Sequence, residues 1–120
     1  MIKNITTGYQ NLVAFEFQGE VSKADFDSVI MPAVNDLVDK YDELNLVYYI
    51  NTELKNFDVG AWWQDAMLGL KNITKWHKAA IVTENSAVQK FTELFGIIMP
   101  GSFKAFDKEQ LQEAIDWAAN

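Results

Sequence analysis

Leu44-Asn45-Leu46-Val47-Tyr48-Tyr49-Ile50 decides the fold. The run is apolar almost throughout, rich in β-branched and aromatic side chains, and too short for an ordinary helix. It therefore reads as a strand buried on both faces. Lys78-Ala79-Ala80-Ile81-Val82-Thr83 reads the same way. Between and around these runs lie stretches with helical spacing, and strands that alternate with helices imply a largely parallel sheet.

Towards the N-terminus, Met1 to Thr6, the turn Gly8-Tyr9-Gln10-Asn11 and Leu12 to Phe17 read as a hairpin. Val13, Phe15 and Phe17 alternate with Ala14, Glu16 and Gln18, which leaves one face half wet. Ser22-Lys23-Ala24-Asp25 has the form of a capping box. Behind it Phe26, Ile30, Ala33, Val34, Leu37 and Tyr41 mark the inner stripe of a helix, which should kink or restart at Pro32. Asp25, Asp27, Asp36, Asp39, Asp42 and Glu43 lie mostly off that stripe and read as its solvated side.

Towards the C-terminus, Val59, Trp63, Ala66, Leu70 and Ile73 mark a second helix, and Ala87, Phe91, Leu94, Phe95 and Ile98 a third, closed by Pro100-Gly101. Ser102 to Phe106 is a last strand. Asp107-Lys108-Glu109-Gln110 caps a final helix with Leu111, Ala114, Ile115 and Ala118 inward. The result is a single α/β domain over residues 1–120 with the order ββαβαβαβα: five strands, mixed but mostly parallel, the first antiparallel through its hairpin. If sequential strands are neighbours, right-handed crossovers place every helix on one side of the sheet.

Composition narrows the chemistry. The net charge is −7 and the pI about 4.5; all ten basic residues are lysines, so a nucleic-acid partner is not expected. There is no cysteine, one histidine, no phosphate loop and no calcium loop, and no Gly-x-Ser-x-Gly elbow presents a serine to His77. The expectation is a protein that is not an enzyme and needs no metal or cofactor. His77 reads as a strand-entry residue bonded to nearby backbone. No stretch approaches the ~18 apolar residues of a membrane span, and a cytoplasmic location is the default.

Three stretches resemble the SpoIIAA-like family, small bacterial relatives of STAS domains. They are Val13 to Phe26, Lys78 to Val82, and Phe103 to Asp107 with the helix through Trp117. The resemblance implies a five-stranded sheet in a βα superhelix. For STAS domains at large it implies regulation of a protein partner through a phosphorylated hydroxyl in an Asp-Ser or Asp-Thr pair. The matching connection here, Ile50-Asn51-Thr52-Glu53-Leu54-Lys55-Asn56-Phe57-Asp58, lacks such a pair, with Thr52 the nearest hydroxyl, so the switch does not carry over. The resemblance offers instead a hydrophobic small molecule or lipid as ligand, with peripheral contact to the inner membrane. The residues that suit this are Trp62, Trp63 and Met67 on the second helix and Phe91, Phe95, Ile98 and Met99 on the third. Pro100-Gly101 would let the third helix's end swing to admit the ligand. The alternative is an anti-sigma-antagonist-like regulatory domain without the switch, bound to a protein partner or to itself as a homodimer.

Overall fold

A computed structural model describes residues 1–51, 76–84, 89 and 101–120. The second and third expected helices lie outside the described residues. Five strands form one sheet: β1 Ile2–Asn4, β2 Val13–Gln18, β3 Leu44–Asn51, β4 Trp76–Val82 and β5 Ser102–Phe106. They lie side by side in chain order, β1 antiparallel to β2 and the other three pairings parallel. The mixed, mostly parallel α/β sheet is as expected.

β3 is central, and its first five residues and Ile50 are buried. Its alternate side chains feed two cores. Leu44, Leu46, Tyr48 and Ile50 join Phe15, Phe17, Ala79 and Ile81 on one face. Val47 joins Ala14, Ala80, Val82 and Phe106 on the other. The Phe17 and Tyr48 rings pack across the strand pair with centroids 5.1 Å apart.

Among the described residues each face has its own helix. On the first, a helical stretch runs from α1 (Lys23–Asp25) through a π-helical segment, Phe26–Ile30, into α2 (Met31–Tyr41). Ser22 caps it as the sequence indicates: its hydroxyl accepts the Asp25 N–H at 3.1 Å, and Asp25 accepts the Ser22 N–H at 3.1 Å. The discontinuity expected at Pro32 takes the form of the widened turn just before it, where the Met31 N–H reaches back to the Phe26 carbonyl. Proline has no N–H to give and its ring crowds the preceding turn, and a wider turn relieves both. Phe26, Ile30, Val34 and Leu37 are buried against the sheet. Tyr41, expected on the same stripe, is 40% exposed at the helix's last residue. There Asp42 adopts φ 56° and returns its N–H to the Val38 carbonyl.

The closing helix α3 (Leu111–Ala119) buries Ala114, Ile115 and Ala118 on the second face, against β3 and β4. This corrects the expectation that all helices share one side. The handedness rule governs crossovers between parallel strands, and α3 follows the last strand, so it is free to cover the other face. Its entry is capped as expected, Asp107 N–H donating to Gln110 Oε1 at 2.9 Å.

Two smaller readings change. β4 starts at Trp76, so His77 lies within the strand. Gly101 does not free the chain: at φ +91° its backbone lies against the Trp76 and His77 carbonyls, where a Cβ would come within 3.0 Å of either oxygen.

Candidate functional site

The seven residues chosen from the sequence, Trp62, Trp63, Met67, Phe91, Phe95, Ile98 and Met99, lie outside the described residues, as does Thr52. Polar groups with chemical potential elsewhere are largely engaged with one another. His77 Nδ1 lies 2.8 Å from Asn45 Oδ1 and 3.4 Å from Glu43 Oε2. Asn45 is 1% exposed and passes its Nδ2 hydrogen to the Asn11 carbonyl at 2.9 Å. The expected backbone partner of His77 is thus a side chain, because a buried amide one strand away needs its oxygen satisfied. At the other end of the parallel strands Glu16 Oε2 accepts from Gln18 at 2.7 Å and from Asn51 at 2.9 Å. Among the described residues no three His, Asp or Glu side chains gather as a metal-ligand set.

A surface feature the sequence reading missed lies at the start of β2. β1 is three residues long and pairs only with Phe15 to Phe17. Val13 and Ala14 therefore extend past its end, with one further bond from the Ile5 N–H to the Ala14 carbonyl at 2.8 Å. The loop from Ile5 to Asn11 swings away from this notch. It is tied to α3 on the far face, Asn11 Nδ2 donating to the Ala119 carbonyl at 2.8 Å and Tyr9 Oη donating to Asp116 Oδ1 at 2.9 Å. The opposite wall is α2.

Between loop and helix runs an open cleft in two adjoining parts of about 440 and 320 Å³, which share Gln10, Leu12, Val13 and Ala33. Either part is within the ~300–1,000 Å³ range of small-molecule sites. The floor is apolar: Ile5, Leu12, Val13, Ala33 and Leu37. Tyr9 and Tyr41, two of the three exposed large hydrophobic residues among those described, stand on its walls. The sequence held a partial signal in the tyrosine of the Gly8-Tyr9-Gln10-Asn11 turn, where small polar residues are the norm. Nothing in the sequence brings that turn to Ala33 and Tyr41.

The hydrogen bond from Tyr9 to Asp116 raises the Tyr9 pKa above the ordinary phenol range, the nearby carboxylate charge adding to it, so the hydroxyl stays neutral. On the first face, burial pushes the Tyr48 hydroxyl far above that range. Neither tyrosine is poised to lose a proton near neutrality.

Comparison with known proteins agrees with this architecture. A family profile described as SpoIIAA-like matches residues 12–119. No curated protein matches the chain. Among solved structures, an uncharacterized protein of the DUF3478 family from Shewanella loihica PV-4, described as having a SpoIIAA-like fold, is similar with a TM-score of 0.62. The two are 20% identical, with 98% of this chain and 92% of that one covered. At that identity the likeness shows the fold alone.

Proposed function

The chain belongs to the SpoIIAA-like family, and from that premise we propose that it is a binding module that performs no covalent chemistry and holds a hydrophobic small molecule. The observation that carries this reading is the cleft at the start of β2, with its apolar floor and two exposed tyrosines. The engagement of His77 by Asn45 and of Glu16 by two amides supports the non-catalytic half. The concentration of tryptophan, phenylalanine and methionine at Trp62, Trp63, Met67, Phe91, Phe95 and Met99 supports the apolar half from the sequence.

Magnitudes set the ligand's minimum size. Burial contributes roughly 0.8 kcal/mol per methylene, against an association cost of at least about 4 kcal/mol. Fewer than about five buried methylenes leave no net affinity by that comparison.

Native mass spectrometry of freshly purified protein tests the reading. A monomer carrying a small co-purified adduct is the expected result. A dimer with no adduct, together with no binding of an added alkyl ligand, would replace it with the protein-interaction reading.

A further inference from the structure

We propose that the cleft between the Ile5–Asn11 loop and α2 selects an uncharged amphiphile, a chain bearing a hydroxyl or ester head, over the corresponding carboxylate. The inference rests on the cleft being the apolar ligand site. It adds the class of ligand and the residues that choose it.

The cleft's polar rim carries almost no net charge. Asn4, Thr6 and Gln10 offer neutral donors and acceptors. Thr7 Oγ1 is occupied by the Tyr9 N–H at 3.1 Å. The Tyr9 hydroxyl is given to Asp116. The two charged residues on the lining are Asp36 and Lys40, one helical turn apart on α2 and paired with each other at 3.2 Å. A carboxylate head entering here finds the one lysine already shared with Asp36, and meets the Asp36 charge in a protein of net charge −7. A cationic head could reach Asp36 only in competition with Lys40. A hydroxyl or ester head loses nothing to charge and can bond Thr6, Gln10 or Asn4, which suits a rim whose hydrogen-bonding groups are neutral. The site is also largely pre-formed. Its loop wall is anchored to α3 through Tyr9 and Asn11, and its helix wall is fixed by Val34 and Leu37 in the core. A held geometry lowers the ordering cost of binding.

The test compares 1-octanol with octanoate, equal in chain length, by NMR titration of the full chain above the carboxylate range of pH. Octanol should bind at least roughly fivefold tighter. Asp36→Asn, which frees Lys40 and removes the repelling charge, should narrow that gap by improving octanoate and leaving octanol unchanged. Ala33→Phe fills the floor common to both parts of the cleft and should weaken octanol by roughly tenfold or more. Ala33→Leu, a smaller plug, serves should the phenylalanine variant fail to fold. Equal or tighter binding of octanoate overturns the ligand class while leaving an apolar site standing. Binding of octanol unaltered by both Ala33 variants places the site elsewhere and overturns the assignment to this cleft. Binding of neither probe by the parent overturns this inference and the function proposed above together.

Discussion

Asn45 and His77 are joined side chain to side chain, the amide oxygen 2.8 Å from the ring Nδ1. Because Asn45 spends its Nδ2 hydrogen on the Asn11 carbonyl, its oxygen must face the ring, and an amide oxygen can only accept. Neutral His77 therefore carries its hydrogen on Nδ1 and leaves Nε2 as the acceptor. Long-range ¹H–¹⁵N spectra at alkaline pH should show the Nδ1–H tautomer in clear excess; a dominant Nε2–H form would mean that the contact is absent.

Asn45→Ala should be costly for the same reason. It takes the Asn45 amide from the Asn11 carbonyl near the start of β3, at a position 1% exposed, and leaves the His77 ring only the more distant Glu43 carboxylate at 3.4 Å. The loss should be about 1–3 kcal/mol, the usual penalty for leaving a buried polar group unmade. Urea denaturation at neutral pH measures it, and a midpoint equal to the parent's would refute it.

Gly101→Ala should destabilise the protein by about 1–3 kcal/mol. Its φ of +91° disfavours any side chain, and the new methyl would press on the backbone carbonyls of Trp76 and His77, which cannot move without disturbing β4. Thermal melting should fall by several degrees. A variant as stable as the parent would show that the chain near residue 101 relaxes freely.

The capped start of α1 should make stability sensitive to acid. The Ser22 backbone N–H holds the Asp25 carboxylate below the ordinary carboxylate range, with the Met1 ammonium 3.6 Å away assisting against partial desolvation. A depressed carboxylate contributes stability above its unfolded value and loses that contribution as pH falls through the folded one. Ser22→Ala should lower stability by about 1 kcal/mol. Asp25→Asn should flatten the acid limb of the stability–pH curve; an unchanged acid limb would exclude Asp25 from it.

Tyr9 and Asp116 give an alkaline counterpart. The shared hydrogen bond raises the Tyr9 pKa, so its contribution is present below the ordinary phenol value and is lost as pH rises through the folded one. Ultraviolet titration of Asp116→Asn should show one tyrosine ionising earlier than in the parent. Superimposable curves would mean that the loop is not tied to α3 through this bond.

The sheet was legible because its information is local. Leu44 to Ile50 and Ala79 to Val82 declare themselves by length and unbroken apolarity, and Ser22 and Asp107 by cap spacing. The second face given to α3 was not, since nothing in the spacing of Ala114, Ile115 and Ala118 says which side of a sheet they will meet. The notch was not legible either. It depends on β1 stopping at Asn4 and on Tyr9 finding Asp116, partners more than a hundred residues apart. The π-helical segment was half legible: Pro32 announced a break, but its form and position depend on how the flanking turns pack.

Strand order along the sheet is strand order along the chain. None of the described strands has to be threaded between two others, so each new one can add to an edge already made, and assembly can follow synthesis from the ribosome. The hairpin of β1 and β2 closes locally, while each parallel pairing waits for its crossover to be complete. Among the described residues it is α3 that seals Val47, Ala80 and Val82 from water. A nascent chain halted before Leu111 would lack that cover and present a sticky sheet face, a substrate for chaperones until the nine residues of α3 arrive.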